Sequence, residues 1–149
     1  MLKKVTLKDL DSIDFIEKTC FPRQEAATRD SLKARLEVYP DGFYLYCVDE
    51  TPIGYIGGLK NNQCELPDEM YEDASLHHPN GDYQLIFSVC ILPAYRKKGY
   101  ARKMVKEYAS LKENEVKGFV LTCKDHLIPF YESCGFHFKG VFKICSWKC

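Results

Sequence analysis

Five cations crowd the start of a helix that the sequence predicts after residue 99. In ILPAYRKKGYARKMV, residues 91–105, Pro93 closes an apolar run, and apolar side chains recur at helical spacing from Ala101 onward. A helix N-terminus carries about half a positive charge and presents unpaired N–H groups, so cations there are unfavourable unless an anion lies among them. The five cations therefore indicate an anionic ligand. They are Arg96, Lys97, Lys98, Arg102 and Lys103.

The small residues of this turn indicate which anion it binds. Gly99 and Ala101 let backbone N–H groups approach an oxygen closely, and the cations supply counter-charge to a diphosphate. The sequence has neither a G-x-x-x-x-G-K-[ST] loop nor a G-x-G-x-x-G turn, which disfavours P-loop and dinucleotide sites. We therefore expect a pyrophosphate here, and the alternative is an ordinary solvated basic turn.

Composition limits the class of protein. A chain of 149 residues that is 46% hydrophobic can bury one core, so we expect a single domain over residues 1–149. Its 21 Lys and Arg balance 21 Asp and Glu, which disfavours bulk binding to nucleic acid or to an anionic membrane. The sequence shows neither a signal peptide nor a run of about 20 apolar residues. We expect a soluble cytoplasmic protein.

Eight cysteines are many for this length, but they form no Cys-x-x-Cys pair, and the four histidines add no metal-ligand spacing. Several lie in apolar runs, where a free cysteine behaves as a small core residue. We expect free thiols and no bound metal in the reduced protein. The eight are Cys20, Cys47, Cys64, Cys90, Cys123, Cys134, Cys145 and Cys149.

Helices and strands alternate in the first half of the chain. Thr6 and Asp9 resemble a capping box, and Thr28 is a second N-cap candidate. The predicted elements are a strand at 2–5, a helix to about Cys20, a helix from Thr28 that ends at 40–42, and strands at 43–48 and 53–59 joined by a turn at 49–52. Residues 61–82 form a long connection, which is usually functional or disordered.

The second half predicts the central sheet. YQLIFSVCIL, residues 83–92, is too apolar to alternate and reads as one central strand covered on both faces. The remaining predicted elements are a helix from about Ala101, a strand at 118–123, a short helix at 127–133 and two antiparallel strands around Gly140. The fold class is α/β (α+β), a mixed sheet with a parallel pair formed by 83–92 and 118–123.

Three motifs resemble a known family. The run R-x-x-G-x-A at 96–101 resembles the acyl-CoA signature of the GNAT superfamily of N-acyltransferases, and the order of elements is similar along nearly the whole chain. SLHHP at 75–79 and LTCKDHLIPFYESCGF at 121–136 resemble its arylalkylamine (serotonin) N-acetyltransferase branch. The resemblance implies a mostly antiparallel sheet of about seven strands with a splayed parallel pair, flanked by about four helices.

The resemblance also implies how a co-substrate binds. Acetyl-CoA would lie in a V between the two parallel strands, which separate at a bulge in the first. Backbone groups of that strand would hold the pantetheine arm as an extra strand, and the basic turn would wrap the pyrophosphate. No metal is implied. The expected CoA-binding residues are Val89, Cys90, Ile91, Arg96, Lys97, Lys98, Gly99, Tyr100, Ala101 and Arg102.

Tyr131 falls at the family position of a tyrosine that protonates the departing thiolate. A phenol has an ordinary pKa of about 10, so it stays protonated at neutral pH and can donate where charge develops. Alternatively, Phe130 and Tyr131 only pack the short helix onto the sheet.

The general base is less well marked. Vertebrate arylalkylamine enzymes carry two histidines on the central strand, but Leu85 and Phe87 occupy those positions here. Glu25 and His77 are the candidates we carry forward, with His78 and Asp82 as further alternatives. Each also has a structural explanation: favourable charge before a helix for Glu25, a turn cap for Asp82, and packing on Pro79 for the histidines.

The expected function is transfer of an acetyl group from acetyl-CoA to a small primary amine, arylalkylamine or polyamine-like, by a monomer or homodimer. Four aromatic residues could line the amine site or belong to the core. They are Phe21, Tyr44, Tyr71 and Phe87. The alternative is a non-catalytic domain that binds acyl-CoA as a sensor or regulator, which the missing histidines favour.

Overall fold

The structure, a computed structural model, describes residues 1–63 and 73–138 in full and residues 144–147 as strand backbone. These ranges contain four α-helices and nine β-strands. The helices are α1 (Leu10–Cys20), α2 (Arg29–Val38), α3 (Tyr100–Lys112) and α4 (Ile128–Ser133). The strands are β1 (Leu2–Lys4), β2 (Phe43–Val48), β3 (Thr51–Gly57), β4 (Lys60–Asn61), β5 (Tyr83–Ile86), β6 (Ser88–Ile91), β7 (Gly118–Thr122), β8 (His137–Phe138) and β9 (Ile144–Trp147).

The strands form two hydrogen-bonded sheets. One has the order β1-β2-β3-β6 and is antiparallel throughout. The other has the order β4-β5-β7-β9-β8, in which β5 and β7 run parallel and the other pairs are antiparallel. The predicted mixed α/β fold with a central parallel pair is therefore confirmed.

The prediction of one central strand over 83–92 is wrong in one respect. The run divides at Phe87 into β5, which pairs with β7, and β6, which pairs with β3. The Phe87 N–H donates to the Gly57 carbonyl at 3.0 Å, at the point where the chain passes from one sheet to the other. The two sheets diverge there because the two halves of the run follow different partners.

The core confirms that the central strands are covered on both faces. Residues alternate along each strand, so Leu85, Cys90 and Val120 pack with α1 and α2, whereas Ile86 and Leu121 pack with α3 and α4. Two apolar layers thus sandwich the sheets.

Short sequence motifs correctly predicted where the first two helices begin. The Thr6 hydroxyl accepts the Lys8 N–H at 3.2 Å and the Thr6 N–H donates to Asp9 at 3.0 Å, which confirms the capping box, here on a 3₁₀ turn before α1. Thr28 caps α2 by accepting the Ser31 N–H at 3.1 Å. The β2–β3 turn is tighter than predicted: Asp49 and Glu50 have φ of 51° and 67°, typical of a two-residue hairpin turn.

The C-terminal hairpin is also confirmed, since β8 pairs antiparallel with β9. Gly140, the predicted turn, lies outside the described residues, as does Tyr71 in the long connection. Within the described part of that connection lie β4 and a 3₁₀ turn at Ala74–Leu76. None of the helices in residues 1–63 and 73–138 has the length and apolar character needed to cross a membrane.

Gly58→Ala should destabilise the protein at the point where the sheets diverge. A Cβ at this position would lie 1.9 Å from the Leu85 carbonyl oxygen, which is a backbone atom with little freedom to move. Overpacking of this kind costs about 1–3 kcal/mol, and we expect the upper end of that range in denaturant unfolding. Gly99→Ala is the control, since its Cβ would meet no heavy atom within 4 Å and only its φ of 83° is strained. Equal stability of Gly58→Ala and wild type would contradict the described packing.

Candidate active site

A cavity of about 610 Å³ opens where β6 and β7 separate. It is bounded by the end of α1 and the loop after it, by β5 and β6, by the end of β7, by the start of α3 and by α4. Of the predicted residues, Tyr131, Glu25, Val89, Cys90, Ile91, Arg96 and Ala101 all line this cavity. The divergence of the sheets therefore brings most of the predicted site together.

The β6 strand presents one backbone edge to this cavity. Its other edge pairs with β3, where Leu92 N–H donates to Ile53 O at 2.7 Å. Because backbone groups alternate along a strand, those of Val89 and Ile91 face the cavity and those of Cys90 face β3. The Ile91 carbonyl already accepts Arg96 Nε at 2.8 Å and the Cys20 thiol at 3.4 Å.

The basic turn between β6 and α3 has an unusual backbone. Lys97 and Gly99 both lie in the left-handed region, with φ of 63° and 83°. The first hydrogen bond of α3 runs from Lys103 N–H to Gly99 O at 3.2 Å, so the N–H groups of Tyr100 and Ala101 point away from the helix without an acceptor in it. The space in front of Gly99 is open, since an added Cβ there would meet no heavy atom within 4 Å.

The other predicted cations lie around this turn. Lys97, Lys98 and Arg102 are exposed, and Lys98 Nζ lies 5.9 Å from the centre of the Tyr95 ring. Exposed cations beside free N–H groups suit an anion that approaches from solvent.

Tyr131 and Glu25 lie on different walls of the cavity. Tyr131 is 7% exposed and lies edge-on to Phe130 and Phe136, at 5.0 and 6.0 Å between ring centres. Glu25, in the loop after α1, forms an ion pair of 3.6 Å with Lys124, which follows β7. The cavity thus contains a phenol and a carboxylate, one able to donate a proton and the other able to accept one.

A family model for the acetyltransferase (GNAT) family matches residues 7–136. The chain belongs to this family. A probable hydrolase, YhcX, of Bacillus subtilis (strain 168) is 28% identical over 104 residues, 65% of this chain and 20% of that protein. The chain therefore spans about a fifth of the length of this curated relative.

Solved structures share this acetyltransferase fold. The loading GNATL domain of CurA from Lyngbya majuscula has a TM-score of 0.75 at 16% identity, over 88% of this chain and 68% of that one. The PaiA N-acetyltransferase from Thermoplasma acidophilum, in complex with coenzyme A, has a TM-score of 0.72 at 14% identity, over 100% and 98%. Diaminobutyrate acetyltransferase from Paenibacillus lautus, in complex with L-2,4-diaminobutyric acid and coenzyme A, has a TM-score of 0.63 at 10% identity, over 89% and 70%.

His77 lies outside the cavity between β6 and β7. It lines a second pocket of about 450 Å³ with Lys60 and Lys112, and stacks on Tyr39 at 5.0 Å between ring centres. Its Nδ1 accepts the Lys60 N–H at 3.1 Å. Burial, reinforced by the two lysines, lowers the pKa of His77 to about 4, so the ring is neutral at pH 7.

The two further base candidates also lie outside the first cavity. The His78 N–H donates to Lys60 O at 2.8 Å, and Asp82 pairs with Lys117 at 3.6 Å. Across residues 1–63 and 73–138, three or more His, Cys, Asp or Glu side chains nowhere come together to hold a metal ion.

Sequence reasoning missed a buried network beneath the cavity. Glu17, 4% exposed, accepts the Ala27 N–H at 2.8 Å and the Tyr55 hydroxyl, which also contacts Ser88 Oγ at 3.2 Å. Glu17 thus connects the loop after α1 to β3 and to the start of β6. The signal was present, because Glu17 follows Ile13 by four residues on the apolar face of α1.

Of the four aromatic residues that could line an amine site or belong to the core, the three that the structure describes lie in different places. Phe21 and Phe87 line the cavity, whereas Tyr44 packs edge-on against Tyr108 at 5.9 Å between ring centres, in the α3 layer of the core. Cys20, which was predicted only as a free thiol, also lines the cavity.

The half-buried His77 should make stability depend on pH in acid. Its folded pKa lies below the unfolded value of about 6.5, so between pH 6.5 and 4 the unfolded chain binds more protons. The free energy of unfolding should therefore fall as pH drops through this window. His77→Gln keeps an acceptor for the Lys60 N–H and should lose less stability between pH 7 and 4.5 in denaturant titrations. Equal losses in both proteins would contradict this assignment.

Proposed function

We propose that this protein transfers an acetyl group from acetyl-CoA to a small primary amine. One observation carries the proposal: the cavity between β6 and β7 is lined by β6, by Arg96 and Ala101 at the basic start of α3, and by Tyr131. Membership of the acetyltransferase family supports acyl-CoA as the donor. The PaiA enzyme and diaminobutyrate acetyltransferase, which share the fold, are both described in complex with coenzyme A.

In this proposal the CoA moiety follows β6 to the basic turn. The pantetheine arm pairs with the backbone groups of Val89 and the N–H of Ile91, since the Ile91 carbonyl is held by Arg96. The pyrophosphate lies against the N–H groups at the start of α3, with Lys97, Lys98 and Arg102 as counter-charges. The open space at Gly99 is where a phosphate oxygen can approach the backbone.

The chemical step needs a proton for the departing thiolate and a base for the amine. Tyr131, on the cavity wall formed by α4, donates the proton to the departing thiolate. Glu25 is the base candidate that lines the cavity, and it accepts the amine proton directly or through water. His77 has no part in this proposal because it lies in the other pocket.

The acceptor we propose is an amine with an apolar or aromatic body. Phe21, Phe87 and Phe130 line the cavity and would contact such a body. SLHHP and the run at 121–136 support the arylalkylamine branch, while Leu85 and Phe87 replace its histidine pair. The second candidate, an acyl-CoA sensor without turnover, is favoured only by that replacement. Release of CoA from acetyl-CoA across a panel of amines separates the two.

Acetyl-CoA should bind the wild-type protein, and Gly99→Val should weaken binding by about tenfold or more. A β-branched side chain fills the open space at the turn and disfavours its φ of 83°, so the backbone can no longer approach the phosphate. Calorimetry and the rise in Tm with ligand measure the effect. Gly135→Val is the matched control, since Gly135 also has a positive φ, 104°, but lies in the turn after α4 and not at the start of α3. No binding to wild type at millimolar acetyl-CoA would refute the proposal.

Tyr131→Phe should separate binding from chemistry. The ring that packs against Phe130 and Phe136 is kept, while the proton donor for the thiolate is lost. General acid catalysis typically contributes about 10²–10⁴, so kcat should fall at least about 100-fold with the Kd for acetyl-CoA little changed. Tyr83→Phe, outside the cavity lining, is the control. Turnover within about threefold of wild type, with chemistry limiting, would assign Tyr131 to packing alone.

A further inference from the structure

Two thiols meet at the floor of the cavity. Cys20 is the last residue of α1 and is half-buried, while Cys90 in β6 is 6% exposed. Both side chains line the cavity. Cys20 Sγ lies 3.4 Å from the carbonyl oxygen of Ile91, the residue next to Cys90 in β6, and the Cys90 thiol is close enough to lower the pKa of Cys20. The pair thus joins two elements that are distant in sequence, directly beside the free edge of β6.

We propose that Cys20 and Cys90 are a redox modification site, which peroxide converts to a disulfide that closes the cavity to acyl-CoA. The effect on acyl-CoA rests on the function proposed above. Formation of the disulfide does not, because it depends only on the two thiols and the oxidant.

The surroundings give the two thiols different roles. The hydrogen bond from Cys90 and the nearby Arg96 guanidinium lower the pKa of Cys20 to about 7, against the opposing effects of burial and of Glu17. Burial raises the pKa of Cys90 well above its ordinary value. At neutral pH Cys20 therefore supplies a thiolate, the nucleophilic form, beside a thiol that stays protonated.

The oxidation proceeds in two balanced steps. The Cys20 thiolate attacks hydrogen peroxide, the O–O bond breaks, and Cys20 sulfenic acid and hydroxide form. The Cys90 sulfur then attacks the Cys20 sulfur, and the hydroxyl leaves with the Cys90 proton as water. Overall one peroxide is reduced to two waters while two thiols are oxidised to one disulfide.

The disulfide would alter the edge on which we place pantetheine. It ties the end of α1 to β6 directly beside the Ile91 carbonyl. The loop that begins at Phe21 and carries Glu25 follows directly, so this wall of the cavity is fixed against the strand. Oxidised protein should therefore bind acyl-CoA more weakly, and dithiothreitol should restore binding.

The chain contains its own control thiols. Cys47 and Cys134 lie outside the cavity lining, and burial raises the pKa of both. Cys123 also lines the cavity, but it directly follows β7. Selective oxidation should therefore leave Cys47 and Cys134 open to alkylation.

The first experiment maps the bond in the wild-type protein, with no variant required. Reduced protein is treated with a slight excess of hydrogen peroxide at pH 7.5, alkylated with N-ethylmaleimide and digested with trypsin and chymotrypsin. Cleavage after Lys18, Arg23, Phe87 and Tyr95 places Cys20 and Cys90 in short peptides that contain no other cysteine. We expect a cross-linked Cys20–Cys90 peptide that dithiothreitol abolishes. Cys90→Ala should instead leave a Cys20 sulfenic acid that dimedone traps.

The outcomes are distinct. Pairing of Cys20 with Cys123 or with a second chain, or a Cys20 that stays free while Cys47 or Cys134 oxidises, overturns the proposal. Calorimetry then compares acetyl-CoA binding to reduced and oxidised protein, and we expect at least a tenfold loss on oxidation. If the disulfide forms without loss of affinity for acetyl-CoA, the proposed effect of oxidation on acyl-CoA binding is wrong. Absence of binding to the reduced protein refutes the proposed function instead, and the peptide map still decides the disulfide.

Discussion

The division of one apolar run at Phe87 is the constraint on which the site depends. β5 stays with β7, β6 stays with β3, and the space between the sheets becomes the cavity. An unpaired strand edge is ordinarily a liability, because it is a template for association with other chains. Here the edge faces the cavity, and its Ile91 carbonyl is covered by Arg96 and Cys20. The fold thus keeps this edge from other chains while leaving room for an extended ligand.

Packing around the division explains why it is stable. Gly54 and Gly58 let the backbones of β3 and the following turn approach Cys90 and Leu85 more closely than any Cβ would allow. Beneath them, the buried Glu17 side chain accepts hydrogen bonds from the Ala27 N–H and the Tyr55 hydroxyl. Removing a single partner from such a network leaves a buried group unsatisfied, which costs more than the bond itself contributes. The loop bearing Glu25 is thereby held beside β6.

Local patterns in the sequence predicted the elements, and distant partners decided the rest. Thr6, Thr28 and the apolar run at 83–92 carry their own signals, so the caps and the buried central strands were predictable. The division at Phe87 could not be predicted from the residues themselves, because phenylalanine continues the apolar run. The division results from pairing of β6 with β3 and of β5 with β7. Only the family resemblance implied it. His77 was proposed from a local motif, whereas its stacking on Tyr39, which is distant in sequence, places it in the second pocket. The Cys20–Cys90 contact has no local signal at all.

The basic turn explains more of the site than its charges alone. A left-handed Lys97 costs about 1–2 kcal/mol, and cations at a helix start add to that cost. Strain of this kind persists where the surrounding structure or a ligand offsets it, and a diphosphate at the start of α3 would relieve the electrostatic part. The same turn supplies Arg96, whose Nε holds the Ile91 carbonyl and whose charge favours the Cys20 thiolate. Arg96 is therefore common to both proposals, so acyl-CoA binding and thiol reactivity at the cavity floor depend on one short stretch of backbone.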